Sequence, residues 1–285
     1  RAYPKVHDMY RFHIDTWCLQ HYYPQIGDTG AFAVRADQYV GVLFSKEAGL
    51  EPSMFTFLYD LYSLTGDEAF VQALYRANGE KLEGLPYDLL AADPQGVQEE
   101  VSKVIDRAGS IPQVGSVNKE QWHLAILRSG QGDQERAAWL AYDCGGRHSH
   151  FDGLTLGLYA HGLDLLPDFG YLPVQFGGWD SPKTRWYRMT PAHNTVTVDG
   201  QNQRNGAGRS TLWVDSPRFH AIRASAPELV AESSEQGATY ERTAILVDLS
   251  AEDFYLIDLF RVLGGRDHAK FTHGHFGALT TQGLR

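Results

Sequence analysis

Trp122-His123-Leu124-Ala125-Ile126-Leu127 is a compact apolar run of strand length, and together with Trp139-Leu140-Ala141-Tyr142 it marks where the texture of the chain changes. Upstream, to about residue 110, apolar residues recur at three- and four-residue steps, as in Tyr10-Arg11-Phe12-His13-Ile14-Asp15-Thr16-Trp17-Cys18-Leu19 ahead of Pro24. That is the spacing of a helix with one face turned to a core. Further helices are predicted over Met54 to Leu64, closed by Thr65-Gly66-Asp67, over Glu68 to Ala77, closed by Asn78-Gly79, and over Val97 to Ala108. Short helices joined by turn residues imply a helical array. Downstream come strand-like runs at Asn194-Thr195-Val196-Thr197-Val198, at Ala244-Ile245-Leu246-Val247 and from Phe254 to Val262, the last apolar on both faces. Turns such as Asp199-Gly200 and Gly264-Gly265 separate them. No helix of comparable quality is expected past residue 110. The pattern predicts an α+β multidomain chain, helical over residues 1–110 and an antiparallel β-sandwich over 111–285.

With 285 residues, 43% of them hydrophobic, the chain can bury one large core or two medium ones, which excludes a disordered polymer. A formal charge of -10 argues against nucleic acid as a partner, because phosphates require a basic footprint. An acidic polysaccharide stays open provided a local basic cleft overcomes that charge. No apolar run reaches the roughly 18 residues of a membrane span, so no membrane partner is expected. The sequence opens at Arg1 without a methionine or a signal peptide and stops at Arg285 inside what reads as β-structure. The natural polypeptide is therefore expected to extend beyond both ends. Cys18 and Cys144 are too few for a disulfide framework and lack the paired spacing of a zinc-thiolate site, so both are expected as buried thiols. Oligomeric state leaves no mark on the sequence.

The chemistry concentrates in Asp143-Cys144-Gly145-Gly146-Arg147-His148-Ser149-His150-Phe151-Asp152-Gly153, which holds two of the twelve histidines as His148-Ser149-His150. If this piece is extended, the side-chain period of two puts both imidazoles on one face, and Gly145-Gly146 lets the backbone approach a ligand or a strand. Such a pair suits a metal or an anion; alone, it is as often a chance surface pair. The apolar run from Leu154 to Leu166 ends at Pro167-Asp168-Phe169-Gly170, where Asp168 is costly unless paired, hydrogen-bonded or coordinating a cation. Asp168 also fits a turn ahead of Gly170. After a loop containing Trp and Arg comes Thr190-Pro191-Ala192-His193-Asn194-Thr195, with His193 at the mouth of a strand that it would otherwise simply cap. His150, Asp168 and His193 make a two-imidazole, one-carboxylate set suited to Zn2+ or a related divalent ion, with His220 in reserve. Arg147, Lys183, Arg185 and Arg188 flank these segments and fit either a positive lining for a polyanion or a solvated basic rim.

Three ordered segments, Gly146-Arg147-His148-Ser149-His150-Phe151-Asp152, Leu163-Asp164-Leu165-Leu166-Pro167-Asp168-Phe169-Gly170-Tyr171 and Ala192-His193-Asn194-Thr195-Val196-Thr197-Val198-Asp199-Gly200, resemble the heparinase II/III-like polysaccharide lyases. The likeness is strongest over residues 140–205 and continues weakly from Arg242 to Phe276. It implies that residues 1–110 are the end of an α/α toroid and that 111–285 are the family's antiparallel β-sandwich domain, truncated. It further implies His148 as the active-site histidine, His150 and Asp168 as metal ligands, His193 as their partner by its place in the segment, and Tyr187 as an aromatic near the substrate. The metal in such proteins mostly supports the fold near the cleft. The implied reaction is β-elimination at a uronic acid: the C5 proton is removed, the 4-O-glycosidic bond breaks and a 4,5-unsaturated sugar remains. A base and an acid must flank the ring while the carboxylate is neutralised. The family's catalytic tyrosine and its carboxylate-neutralising Asn or His come from the toroid and are expected upstream of Arg1, so the chain by itself need not be active. Tyr10, Tyr22 and Tyr23 are available, but Tyr22-Tyr23-Pro24 and Gly27-Asp28-Thr29-Gly30 read better as a helix end and loop. A periplasmic or secreted location follows from the substrate class.

Three competing readings stand beside this one. A cupin-type metalloenzyme also places His-x-His on a sheet, but it normally adds a Glu a few residues on, and Phe151-Asp152-Gly153-Leu154-Thr155-Leu156 has none. A non-catalytic carbohydrate-binding β-sandwich would use the 12% aromatic content to stack on sugars. A metal-dependent hydrolase would activate water and leave no double bond in its product.

Overall fold

The computed structural model describes residues 4–16, 24–28, 52–86, 91–145, 148–230, 237–274, 280 and 282. They fall into two compact units, one of residues 4–16 and 52–115, the other of residues 24–28 and those from Ser116 on. The first is helical: α1 (Pro4–Thr16), α2 (Pro52–Thr65), α3 (Glu68–Ala77) and α4 (Pro94–Ala108). The predicted bounds of α3 hold because both signals are local. Asp67 caps its first turn by accepting from the Ala69 N–H, and Asn78 takes the closing bonds at the other end. At α4, Asp93 caps the N-terminus and Pro94 stands where a missing N–H costs nothing, so the helix starts earlier than the apolar spacing suggests. Ile14, Leu58, Leu61, Phe70, Val71, Leu74, Val101 and Val104 form a common core. Cys18, Tyr22 and Tyr23 lie outside the described residues.

The second unit is built of antiparallel strands. In chain order these are β1 (Val117–Lys119), β2 (Leu124–Ser129), β3 (Arg136–Ala141), β4 (Asp143–Cys144), β5 (Thr155–Ala160), β6 (Leu163–Asp164) and β7 (Val196–Val198). There follow β8 (Gly206–Ala207), β9 (Arg209–Ser216), β10 (Phe219–Ser225), β11 (Thr239–Asp248), β12 (Phe254–Leu263) and β13 (His268–Lys270). One sheet runs β1-β2-β3-β5-β6 and another β12-β11-β10-β9, with β13-β7 and β4-β8 as small pairs. A single apolar cluster draws on both larger sheets, through Leu127, Leu140 and Leu156 from one and Ile222, Ala244 and Leu246 from the other. Close packing shows at Gly157, which stands opposite Trp139 on the neighbouring strand. A Cβ there would lie 2.1 Å from the indole, so only glycine admits the ring.

Two expectations fail. Ser181 and Pro182 open a short helix, α5 (Pro182–Arg188), inside the stretch read as loop: the Ser181 hydroxyl accepts from the Thr184 N–H and Pro182 occupies the first turn. The His148 segment is not an extended strand either. β4 ends at Cys144, and His148 takes a left-handed conformation with φ 57°. Among the described residues no helix is long and apolar enough to cross a membrane. Cys144 is a buried free thiol whose pKa burial pushes up to about 12.

The central polar contact of this unit is Arg242 on β11, which is 1% exposed. Its guanidinium grips Asp258 of β12 at two points, Nε to Oδ1 at 2.8 Å and Nη2 to Oδ2 at 2.7 Å. Burial alone would raise the Asp258 carboxyl, but Arg242 and Lys270 outweigh it and hold the group below the usual carboxylate range. A carboxyl whose pKa falls on folding stabilises the protein above its unfolded value, about 3.9, and loses that contribution as pH drops through the lower folded value. Asp258→Asn is expected to destabilise this unit by about 3 kcal/mol at neutral pH, because it strips a buried cation of its partner. Urea unfolding followed by tryptophan fluorescence measures this, and the gap between variant and parent should narrow below about pH 4. A gap that does not change with pH would contradict the assignment.

Candidate metal centre and active site

Two backbone segments carry the site, residues 148–154 and 193–196, and β11 fixes both. Arg242 Nη1 donates to the carbonyls of Leu154, at 2.7 Å, and of Asn194. The buried Tyr240 phenol donates to the Val196 carbonyl and accepts from Gln203 Nε2 at 2.7 Å. Gln203 in turn clamps Gly153, taking its N–H at 2.7 Å and donating to its carbonyl at 2.8 Å. Every polar group here is away from water, so each bond made avoids a desolvation cost of about 1–3 kcal/mol and together they leave the segments one arrangement.

His193, Asn194 and Thr195 then reach three different places. His193 Nδ1 meets Asp168 Oδ2 at 2.7 Å. Asn194 Nδ2 holds the carbonyls of Leu166 and Pro167, which sets the loop that presents Asp168. The Thr195 hydroxyl donates to the Gly153 carbonyl at 2.8 Å, tying this segment to the one that carries His150. Asp168 combines both roles read from its sequence setting: Oδ1 accepts from the Gly170 N–H, as a turn-forming aspartate does, while Oδ2 faces His193.

One ligand atom from each of His150, Asp168 and His193 lies within 4.8 Å of the others, and all three residues are buried. The imidazole centroids of His150 and His193 are 5.2 Å apart. Burial, reinforced by neighbouring His193, lowers the His150 pKa and holds that ring neutral. For His193 burial also works against charge, but Asp168 outweighs it and raises the pKa; the Tyr187 backbone helps without forming a hydrogen bond of normal geometry. Asp168 is pushed up by burial and brought below the usual range by His193 and the Gly170 N–H.

A divalent ion fits this set on three counts. The donors are two imidazoles and a carboxylate, a set that zinc accepts at about 2.0–2.1 Å. His150 Nδ1 and His193 Nε2 are buried without a hydrogen-bond partner among the described residues. Asp28 and Asp152 add two carboxylates beside the rings, at His150 Nε2 and through the field at both imidazoles. With Asp168 they set three carboxylates around two imidazoles, a surrounding that suits a cation.

The other residues singled out from sequence are dispersed around this centre. His148 is 78% exposed, with Nδ1 3.0 Å from Asp28 Oδ2. Tyr187, on α5, packs its ring 4.9 Å from Phe169, next to Asp168. Arg188 is joined to the His148 segment through its carbonyl, which accepts from the Phe151 N–H, and its guanidinium lies 5.8 Å from the Trp179 ring. Arg185 stands exposed beside Asp180, and Lys183 lies over Phe176. His220 is elsewhere, on β10 with Asp215 and Ser116. Arg147 lies outside the described residues. The sequence reading missed Asp28, Gln203, Tyr240 and Arg242 and quoted Asp152 without a role. Arg242 and Tyr240 stand at alternate positions of a strand-forming run, which puts them on one face without marking that face as buried.

A helical unit, an antiparallel sheet unit and a buried His/Asp cluster on the latter define the molecule. Residues 115–280 match the family model described as Heparinase II/III-like, C-terminal, and the chain belongs to that family. An exo-oligoalginate lyase of Saccharophagus degradans is 25% identical over 214 residues, 71% of this chain and 28% of that protein. A heparin-sulfate lyase of Bacteroides thetaiotaomicron is 28% identical over 111 residues, 38% of this chain and 14% of that protein. The chain thus spans less than a third of the curated relatives it matches. Among solved structures, a heparinase III gene product is 17% identical with a TM-score of 0.49, covering 89% of this chain and 32% of that chain. The heparan sulfate lyase of Pedobacter heparinus is 16% identical with a TM-score of 0.46, covering 88% and 40%.

The expected metal content is one divalent ion per chain, measured by elemental analysis after purification without chelator. Asp168→Ala and His193→Ala should each abolish it, and chelation should lower the unfolding temperature of the sheet unit in the parent only. Equal metal content in parent and variants would leave the Asp168–His193 pair as a structural contact alone.

Proposed function

We propose that this chain is the downstream part of a polysaccharide lyase that cleaves a uronic-acid-containing polymer by β-elimination, with His148 and Tyr187 at the reacting sugar and Zn2+ held by His150, Asp168 and His193. The observation that carries the reading is the presentation of His148. Its ring is exposed, yet Nδ1 is tied to a buried carboxylate that as an anion can only accept. The proton therefore sits on Nδ1, and Nε2 offers its lone pair outward, the arrangement a general base needs.

The chemistry asked of these residues is limited. His148 Nε2 takes the C5 proton of one uronate epimer, the electron pair left behind forms the C4–C5 double bond, and the oxygen at C4 leaves with a proton from an acid. Tyr187, its ring packed on Phe169 next to Asp168, is the aromatic beside the sugar, and the acid is the catalytic tyrosine of the upstream toroid. Arg185 and Arg188, with Arg147 by its place in the sequence, bind the anionic polymer. Exposed Trp179 and Trp186 next to them suit stacking on sugar faces. The ion, when bound, supplies a fixed positive charge and a cross-link that stiffens the floor beneath His148.

The same reading takes the helical unit as the end of an α/α toroid and the sheet unit as a β-sandwich, with the division near residue 110. Family membership and the apolar cluster shared by the two larger sheets support it. The substrate class places the protein in the periplasm or outside the cell.

The full-length gene product, incubated with heparan sulfate, alginate and other uronic-acid polymers, is expected to raise the ultraviolet absorbance of unsaturated uronates. His148→Ala should reduce the rate at least about 100-fold, in line with the loss of a positioned acid–base group. Arg185→Ala with Arg188→Ala should raise KM more than it lowers kcat, an effect that shrinks with added salt. No rise on any polymer, with metal bound, would favour a carbohydrate-binding module or a metal-dependent hydrolase.

A further inference from the structure

Residues Gln25, Gly27 and Asp28 come from the helical stretch of the sequence, yet they belong with the sheet unit. The Gln25 side chain accepts from the Asp168 N–H at 3.3 Å. The Gly27 N–H donates to Asp152 Oδ2 at 2.8 Å, and the Asp28 N–H to the His148 carbonyl at 2.9 Å. Gly27 has φ +56°, and a Cβ on it would lie 2.4 Å from the His148 carbonyl oxygen, so the two backbones approach as closely as glycine alone permits. The Asp28 carboxylate, 8% exposed, then divides between two rings: Oδ2 at 3.0 Å from His148 Nδ1 and Oδ1 at 3.1 Å from His150 Nε2.

We propose that Asp28 is a positioning residue which couples the reactive histidine to the metal centre. Each of its oxygens accepts a ring N–H, which fixes both tautomers at once: His148 keeps its Nε2 lone pair for the substrate, and His150 keeps its Nδ1 lone pair for the ion. A carboxylate behind a ligating imidazole orients the ring and raises its basicity. Here one carboxylate serves a ligand and a proton-transfer group two residues apart, so displacement of either ring loosens the other. The left-handed backbone of His148 is held by the same segment, through the Asp28 N–H. The inference rests on the reading of His150 as a ligand and His148 as the base.

The test compares the full-length protein with Asp28→Asn and Asp28→Ala. Asn keeps the shape but offers a single acceptor oxygen, so it can accept a ring N–H from one histidine and not from both. Three readouts apply: zinc affinity by competition with a chelator, the His148 ring tautomer by nitrogen NMR with His148→Ala for assignment, and kcat against KM. Expected are a 10- to 100-fold loss of zinc affinity in both variants, loss of the Nδ1–H tautomer of His148 in Asp28→Ala, and a fall in kcat with KM little changed. Unchanged affinity and an unchanged tautomer would overturn the proposal even if the protein is a lyase. If both change while no polymer is cleaved, the positioning role stands and the lyase reading fails. Gly27→Ala, which leaves the carboxylate intact but blocks the approach to His148, should reproduce the tautomer change; a normal tautomer there would show that the segment does not set the ring.

Discussion

A guanidinium taken out of water has to find acceptors for its donors, and Arg242 finds them in Asp258 and in the carbonyls of Leu154 and Asn194. Two of those acceptors are the backbones that carry the site. Because the charge is almost fully enclosed, any movement of either segment would leave part of it unsatisfied, a cost of several kcal/mol. Tyr240, two residues earlier on the same face of β11, makes the same demand on Val196 and Gln203. The positions of His150 and His193 follow from these two side chains more than from any property of the histidines themselves.

On that base the site divides by depth. His150, Asp168 and His193 are sealed, which suits a group whose task is to stay. His148 is exposed but fixed at one nitrogen, which suits a group whose task is to exchange a proton. Two histidines separated by one serine thus sit in opposite environments. The left-handed turn at His148 achieves this: an extended segment would have put both rings on one face and given them similar surroundings.

Much of the fold was legible because its signals are local. The apolar period and the turn residues announced α3 and α4, though not the earlier start of α4 that Asp93 and Pro94 set, and runs such as that from Phe254 to Val262 announced strands. α5 escaped because seven residues rich in Arg, Trp and Tyr carry no apolar period; its one clear sign was Ser181-Pro182. At the site, the residues that converge came from three short segments the sequence marks by their own chemistry, the His pair, an aspartate in an apolar setting and a histidine ahead of a strand. Asp28 escaped because Gly27-Asp28-Thr29-Gly30 has the composition of any turn, and its partner His148 is 120 residues away. Arg242 escaped for a different reason: an arginine in a half-buried strand reads as a surface charge until the strand's neighbours are known.

The reading of this family member as an eliminating enzyme is tested most directly by where the oxygen of the cleaved bond comes from. A uronic-acid polymer would be digested by the full-length gene product in oxygen-labelled water and the products weighed by mass spectrometry. Elimination predicts unlabelled products whose new non-reducing end is one water lighter than its hydrolytic counterpart. Label incorporated at the cleaved bond, with no loss of water, would contradict the account and assign the site to a hydrolase.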